Sequence, residues 1–331
     1  MRNKIRWGIL STAKIARTQV IPAMQQSRLC DITAIASRDA KKAEQTAKEF
    51  DIPQFYTNYE DLLAEPHIDA LYNPLPNNLH VEYTIKALKA GKHVLCEKPI
   101  GLDAAEAQQL LDATRQYPHL KVMEAFMYRF HPQWQKAKAM IDEGLLGEVR
   151  TVHAFFSYFN IDAGNIRNKT EAGGGALMDI GCYCISFPRY IFGAEPVQVV
   201  SLMDRDPVMG TDRITSGMLD FGDGKSATFT CSTQLEPYQR VNILGTKGKL
   251  EIEIPVNAPP DVPAKMWLQI NRIAEEITLV PVNQYTLQCD AFAKAILDDT
   301  EVPTPLTDAL NNMKVIDAII KSAEAKAWIN C

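Results

Sequence analysis

The sequence predicts an α/β protein with a doubly wound parallel sheet first, followed by an α/β domain with a large, mostly antiparallel sheet. Three observations predict this fold class. Short apolar segments alternate with helical patterns over the first 124 residues, as parallel strands with crossover helices do. Later strand-like segments follow one another across turns such as Gly222-Asp223-Gly224, as hairpins do. A chain of 331 residues is long for one core, so we expect two domains, 1–124 and 125–331.

The elements of the first domain follow from apolar segments and helix-capping residues. Asp39 is suited to cap the second helix, and Gly91 is suited to end the third. Asp103 with Glu106 resembles a capping box at the start of the fourth helix. We predict strands at 5–10, 32–36, 70–73, 93–96 and 120–124, and helices at 15–24, 40–50, 80–90 and 103–115.

The second domain contains more strands than helices. Its turns, among them Thr246-Lys247-Gly248, separate consecutive strand-like segments, and a proline-rich stretch at 255–263 predicts a surface loop. We predict strands at 151–157, 197–203, 214–221, 226–233, 240–244 and 249–254, and helices at 134–143, 176–192, 285–297 and 306–329.

Composition excludes several classes of function. The formal net charge of −5 argues against nucleic acid as a partner, because phosphate binding favours a basic surface. No apolar run approaches the roughly 20 residues that span a bilayer, and residues 1–4 leave no room for a signal peptide. The seven cysteines contain no CxxC pair, so we expect reduced thiols, no metal site and a cytoplasmic location.

A phosphate-binding turn is expected after the first strand. A dinucleotide-binding turn has glycines at three positions that this chain fills with Ser11, Ala13 and Ala16. All three are small, and the free N–H groups of the following helix remain available to a phosphate. A plain strand–turn–helix is an open alternative. The candidate cofactor-binding residues here are Ser11, Thr12, Ala13, Lys14 and Ile15.

The end of the second strand indicates which nicotinamide cofactor is bound. A carboxylate there would bind the ribose 2′-hydroxyl of NAD, but this chain has Ser37 and Arg38, with Lys42 one helical turn later. A hydroxyl and two cations suit the 2′-phosphate of NADP. The alternative is a solvated turn that precedes Asp39.

Two further segments follow the third and fourth predicted strands, at the edge where open α/β sheets bind ligands. The first supplies Asn73, Pro74, Leu75, Asn77 and His80, either as cofactor contacts or as caps of the next helix. The second contains Glu97 and Lys98. A lysine ammonium beside a cofactor can stabilise an oxyanion or lower the pKa of a neighbouring hydroxyl, whereas elsewhere it is only a surface charge.

A downstream glycine run, 173–175, leads into a helix that carries Asp179 and Tyr183. These two residues are four apart, so they share a helical face. The pKa of a phenol is about 10, so acid–base work at neutral pH needs a nearby cation, and Lys98 is the candidate. The alternative is a tyrosine that packs on the sheet and caps backbone groups.

Together these motifs resemble the glucose–fructose oxidoreductase/inositol dehydrogenase (Gfo/Idh/MocA) family over essentially the whole chain. The matching segments are KHVLCEKP at 92–99, EAFMYRFHP at 124–132 and GGGALMDIGCY at 173–183. Within the family, the chain is most similar to the branch of dimeric dihydrodiol dehydrogenase and xylose dehydrogenases. That branch shares Trp7-Gly8-Ile9 and a tyrosine at position 183, where inositol dehydrogenases have histidine.

The resemblance implies an N-terminal Rossmann domain and a C-terminal α/β domain with an open sheet, through which copies form a homodimer or tetramer. It also implies hydride transfer between nicotinamide and a CH–OH or C=O carbon of a sugar or polyol. Tyr183 carries over as the acid/base, Lys98 as its assisting lysine and Asp179 as a substrate contact. Arg38 and Lys42 match cations that favour NADP(H), with NAD(H) left possible. Arg167, in the polar loop before the glycine run, is a further expected substrate contact.

Two other functions are left open at this point. One is a trans-dihydrodiol or carbonyl reductase, which uses the same residues on a different substrate. The other is a non-catalytic NADP-binding regulator on the same fold. The presence of both Lys98 and Tyr183 favours the enzyme.

Overall fold

The structure is a computed structural model that describes residues 4–331. Residues 1–3, on which the expected absence of a signal peptide partly rests, lie outside the described residues. The chain divides into two compact units. One comprises the chain up to Met127 together with Gln284–Leu310, and the other comprises Tyr128–Asn283 with Asn311–Cys331. The predicted domain limits at 124 and 125 stay a prediction.

The first unit is built on a six-stranded parallel sheet. Its strand order is β3-β2-β1-β4-β5-β6, so the chain winds outwards in both directions from the centre of the sheet. The order reverses between β1 and β4, and in such sheets ligands bind at the C-terminal strand ends beside that point. The strands are β1 Ile5–Leu10, β2 Cys30–Ala36, β3 Gln54–Tyr56, β4 Ala70–Asn73, β5 His93–Cys96 and β6 Val122–Glu124.

Two helices of this part begin at the predicted caps. Asp39 accepts a hydrogen bond from the Lys42 N–H at 3.2 Å, and Asp103 accepts one from the Glu106 N–H at 2.8 Å. A π-helical turn at Ala16–Val20 precedes the first helix. The helices are α1 Ile21–Gln26, α2 Ala40–Glu49, α3 Tyr59–Ala64, α4 His80–Lys89 and α5 Ala104–Thr114.

The second unit contains a nine-stranded sheet in which every neighbouring pair is antiparallel except β7 with β10. With the parallel first sheet, this arrangement confirms the predicted fold class. Its strands are β7 Val149–Phe159, β8 Gln198–Arg205, β9 Asp212–Gly222, β10 Lys225–Ser232, β11 Gln234–Gly245, β12 Gly248–Ile252, β13 Ala264–Ile270, β14 Ile273–Leu279 and β15 Ile329–Asn330.

The remaining helices are α6 Pro132–Asp142, α7 Cys182–Phe192, α8 Gln284–Leu297 and α9 Leu306–Ala325. Although α8 comes late in the chain, it belongs to the first unit, where Phe292 lies against Trp7 of β1 with ring centroids 5.8 Å apart. Both side chains are fully buried, so this contact anchors α8 on the parallel sheet.

The structure differs from the sequence prediction in the first unit, where β3 and α3 were not predicted, and in two C-terminal segments. The hairpin β13–β14 was not predicted, because its two-residue turn is Asn271-Arg272 and lacks glycine, although both residues have positive φ angles of 50° and 67°. The predicted helix 306–329 is too long. It ends at Ala325, where Lys326 adopts a φ of 52°, and the chain then pairs with β8 as β15.

Candidate active site

The turn after β1 keeps the backbone shape of a glycine turn without containing glycine. Ser11 has a φ of +103°, a region that residues other than glycine rarely enter, and its N–H donates to the Ala36 carbonyl at 2.9 Å. Ala16, at the third glycine position, is fully buried, which shows that a small side chain fits there. The turn therefore fits the pyrophosphate of a dinucleotide despite the three substitutions.

Residues from the first turn and from the end of β2 meet. The Thr12 hydroxyl lies 3.5 Å from the Ser37 hydroxyl, and Ser37 accepts a hydrogen bond from the Asp39 N–H at 3.2 Å. Ser37 is buried. This contact places the predicted phosphate-binding turn next to the predicted ribose-binding position, as one dinucleotide would require.

The cations predicted to favour NADP are exposed. Lys42 pairs weakly with Asp39, at 3.7 Å between Nζ and a carboxylate oxygen. Arg38 forms no ion pair with any residue that the structure describes, so its guanidinium is available to an anion. Lys14, in the first turn, is also exposed. A guanidinium and a hydroxyl both donate to phosphate oxygens, so Arg38 and Ser37 are chemically suited to a phosphate. Their contact with the 2′-phosphate of NADP stays a prediction.

The loop after β4 is mostly occupied with its own structure. The Asn73 side chain is fully buried; its amide donates to the His80 carbonyl at 3.1 Å and to the Thr84 hydroxyl at 3.2 Å. Its Oδ1 accepts from the Leu75 N–H at 3.3 Å. Pro74, Leu75 and His80 are also buried, whereas Asn77 is partly exposed. Cofactor contact by these residues stays a prediction.

Lys98 lies in the turn after β5, next to the end of β4. The Glu97 N–H donates to the Asn73 carbonyl at 3.0 Å, which continues the pairing of the two strands. The Tyr72 hydroxyl donates to Glu97 Oε1 at 2.6 Å. Burial and the Glu97 charge raise the pKa of Tyr72 well above its usual value, so the phenol stays protonated. Sequence reasoning missed Tyr72, which looks like an ordinary core residue of a buried strand.

Two glycines of the run in the second unit lie too close to neighbouring atoms for a Cβ to fit. A Cβ on Gly174 would lie 2.4 Å from the Arg167 carbonyl oxygen, and one on Gly175 would lie 2.0 Å from Asp212 Oδ1. Asp212 Oδ2 accepts from the Leu177 N–H at 2.8 Å at the start of the helical segment. The run therefore packs the preceding loop against the helix start. No sequence pattern indicates Asp212, because it is distant along the chain.

This packing brings Arg167 and Asp179 together, as the two predicted substrate contacts would require. Arg167 Nε lies 3.0 Å from Asp179 Oδ2, and the Tyr158 hydroxyl donates to the same oxygen at 2.6 Å. Burial and the Asp179 charge raise the pKa of Tyr158, so its hydroxyl remains a donor at neutral pH. Tyr158 was not predicted, because it lies at the end of β7 in an alternating pattern that indicates only a strand.

Tyr183 lies one turn after Asp179, in α7 directly after a π-helical turn at Leu177–Gly181. Its side chain is 4% exposed and lies near the rings of Tyr128 and Phe156, each with its centroid 6.1 Å away. Burial and these aromatic contacts restrict the orientation of the phenol. Its catalytic role, like those of Lys98 and Asp179, stays a prediction.

Known proteins resemble the chain in both parts. Residues 5–126 match the oxidoreductase family with an NAD-binding Rossmann fold, and residues 134–251 match the GFO/IDH/MocA C-terminal domain. The chain belongs to the Gfo/Idh/MocA family of oxidoreductases. It is an NAD(P)-dependent enzyme of the dehydrogenase class, which confirms the enzyme class and the nicotinamide cofactor predicted from the sequence.

Three relatives of this Gfo/Idh/MocA oxidoreductase cover nearly its whole length. An uncharacterized oxidoreductase of Rhizobium meliloti is 41% identical, over 98% of both chains. A D-xylose 1-dehydrogenase (NADP(+)) of Haloferax volcanii is 36% identical, also over 98% of both. The crystal structure of a 3-ketoreductase from Actinomadura kijaniata with NADP and TDP-benzene has a TM-score of 0.92 and 31% identity, over 97% of this chain and 98% of that one.

Within residues 4–331 there is no group of three or more His, Cys, Asp or Glu side chains that could hold a metal ion. No helix in the same residues is long and apolar enough to cross a membrane.

Proposed function

We propose that the chain is an NADP-preferring dehydrogenase or reductase of a sugar or related polyol. The similarity over 98% of the chain to a D-xylose 1-dehydrogenase (NADP(+)) supports the substrate class. The exposed Arg38, which has no ion pair among the described residues, beside Ser37 supports the cofactor preference. The cofactor, when bound, would accept the hydride as NADP⁺ in oxidation and donate it as NADPH in reduction.

The proton transfer is the part that this chain's own side chains perform. In the direction of oxidation, the Tyr183 phenolate takes the proton of the substrate hydroxyl while the hydride leaves the same carbon. The Lys98 ammonium lowers the pKa of the phenol by stabilising its anion. Asp179, held by Arg167 and Tyr158, accepts a hydrogen bond from another substrate hydroxyl. In the direction of reduction, Tyr183 returns its proton to the carbonyl oxygen.

A substitution of Lys98 tests the assigned role. Lys98→Met removes the ammonium with little change in side-chain length, and we expect kcat to fall by about 10²–10⁴-fold. NADPH binding, measured by fluorescence titration, should persist. Lys89→Met makes the same chemical change at an exposed site in α4 and serves as the control. A near-normal kcat in Lys98→Met would exclude the role.

A second substitution tests the cofactor preference. Arg38→Ala should raise KM for NADP by about 10–100-fold, because a charge-assisted hydrogen bond contributes roughly 1.5–3 kcal/mol, and should leave KM for NAD nearly unchanged. Arg28→Ala, at an exposed position, is the matched control. Equal effects on both cofactors would mean that Arg38 is only a turn residue.

The substrate is best identified by a panel of aldoses, inositols and trans-dihydrodiols, each assayed with NADP and NAD. Activity highest with an aldose or polyol supports the proposal. A clear preference for dihydrodiols would favour the alternative reductase, and NADP binding without turnover on any substrate would favour a regulator.

We also propose a homodimer or tetramer formed through the nine-stranded sheet. Large apolar side chains of that sheet are exposed, among them Leu202, Met218 and Tyr238. Light scattering on a sizing column measures the assembly directly. We expect Met218→Lys to shift it towards the monomer, and a monomeric parent protein would contradict the proposal. The cytoplasmic location stays a prediction.

A further inference from the structure

His80 occupies an unusual position for a residue predicted to touch the cofactor. It is the first residue of α4, and its side chain is 1% exposed. Nδ1 lies 2.8 Å from the Pro99 carbonyl oxygen, and Nε2 lies 2.7 Å from the Leu75 carbonyl oxygen. Carbonyl oxygens only accept hydrogen bonds, so any N–H of this ring is donated to one of these two carbonyls.

The two carbonyls belong to the two loops at the ligand-binding edge of the sheet. Leu75 lies in the loop after β4, and Pro99 directly follows Lys98 in the turn after β5. Proline has no N–H, so the Pro99 carbonyl is the only backbone hydrogen-bonding group of that residue. His80 is therefore the side chain that ties the C-terminal side of Lys98 to its neighbouring loop.

The N-terminal side of Lys98 is tied to the same neighbour. Glu97 donates its N–H to the Asn73 carbonyl at 3.0 Å and accepts a hydrogen bond from the Tyr72 hydroxyl at 2.6 Å. The Asn73 amide in turn holds the His80 carbonyl at 3.1 Å. The residues on both sides of Lys98 are thus fixed to the end of β4, while Lys98 itself is partly exposed.

The charge of His80 fits this arrangement. Burial, with a smaller contribution from the Lys98 charge, lowers the pKa of His80 to about 4, so the ring is neutral at pH 7 and carries one N–H. A neutral ring places no second positive charge beside the Lys98 ammonium. It also means that the tautomer decides which carbonyl receives the hydrogen bond.

We propose that His80 is a positioning residue for Lys98, which donates Nδ1–H to the Pro99 carbonyl and so fixes the turn that carries the ammonium. The inference rests on the proposed function of Lys98 in proton transfer. It is an alternative to the sequence-based expectation that His80 binds the cofactor, and it is supported by the contact of both ring nitrogens with carbonyl oxygens.

Two amide substitutions separate the two ring nitrogens. In His80→Asn the amide nitrogen can lie near the position of Nδ1 and keep the donation to Pro99. In His80→Gln it can lie near the position of Nε2 and keep the donation to Leu75 instead. Both variants introduce a neutral amide at the same buried site, so each is the control for the other. For each we would measure kcat, KM for the sugar, NADPH affinity by fluorescence and the free energy of unfolding.

We expect His80→Asn to keep kcat within a few-fold of the parent enzyme. We expect His80→Gln to lower kcat by about 10²-fold, because a displacement near 1 Å of a catalytic group has an effect of that order. NADPH affinity should be unchanged in both. Equal losses of kcat that follow the losses of stability would show a merely structural histidine. Weaker NADPH binding with normal kcat would show a cofactor ligand. Either result overturns the proposal.

A double-mutant cycle with Lys98→Met shows whether His80 acts through Lys98. If it does, His80→Gln has little further effect on the residual rate of Lys98→Met, since the ammonium it positions is gone. If His80→Gln lowers that residual rate by the same factor as in the parent, the positioning role is wrong while the role of Lys98 stands. If Lys98→Met alone has near-normal kcat, the proposed function fails, and the positioning role fails with it.

Discussion

Gly175 offers a sharp test of how the candidate site is built. A Cβ there would lie 2.0 Å from Asp212 Oδ1, and the backbone has a φ of +120°. The other oxygen of that carboxylate accepts from the Leu177 N–H and the Thr215 hydroxyl, both at 2.8 Å. In Gly175→Ala the carboxylate must move, so these hydrogen bonds are strained or broken.

The expected loss of stability has two parts. A non-glycine residue with this φ costs about 1–3 kcal/mol, and loss of a hydrogen bond to a charged group costs about 1.5–3 kcal/mol. Together they give about 2.5–6 kcal/mol. Gly144→Ala is the matched control, because Gly144 has a φ of +76° and nothing within 4 Å of the added Cβ. It should lose only about 1 kcal/mol.

Urea unfolding of both variants, followed by tryptophan fluorescence, measures the two free energies. We also expect the loss in Gly175→Ala to shrink when Asp212→Ala is present, because the two substitutions affect the same contact. Equal losses in Gly175→Ala and Gly144→Ala, or full additivity with Asp212→Ala, would refute the steric reasoning.

Three further predictions concern the site and its pH dependence. Tyr158→Phe removes a hydrogen-bond donor to Asp179, so KM for the sugar, measured by steady-state kinetics, should rise by about 10-fold or more. An unchanged KM would show that this hydrogen bond does not contribute to substrate binding. Burial lowers the pKa values of His93 and His131 to about 4, and each Nδ1 accepts a backbone N–H, so both rings must be neutral when folded. Stability present above about pH 6.5 should therefore be lost as the pH falls towards 4, by about 1.4 kcal/mol per pH unit for each ring, and urea unfolding at several pH values checks this slope. Ser11→Gly should retain NADPH binding, because the φ of +103° is one that glycine adopts freely, and a large loss of affinity would instead show that the hydroxyl binds phosphate.

The sequence predicted those features that depend on local pattern. The caps Asp39 and Asp103 form as expected because a short polar side chain satisfies nearby helix N–H groups wherever the helix begins. The parallel sheet followed from apolar segments at regular intervals. Arg167 was expected as a substrate contact from its loop. The structure places its Nε 3.0 Å from Asp179 Oδ2, and its contact with the substrate stays a prediction.

The features that sequence reasoning missed depend on contacts between distant segments. Tyr158 reaches Asp179 across 21 positions, and Asp212 reaches Leu177 across 35, so no spacing rule indicates either pair. Tyr72 was hidden within a fully buried strand. The positive φ of Ser11 was missed for a different reason, since serine is not the residue that such a turn favours.

In the proposed mechanism, Lys98 assists proton transfer by Tyr183. The most direct measurement is the pH dependence of single-turnover hydride transfer to NADP in the parent enzyme, Lys98→Met and Tyr183→Phe. We expect the rate of the parent enzyme to rise with pH through one ionisation. In Lys98→Met this ionisation should move to higher pH, because the ammonium no longer stabilises the phenolate. In Tyr183→Phe it should be absent. An unchanged profile and rate in Lys98→Met, or an ionisation that survives in Tyr183→Phe, would contradict the claim.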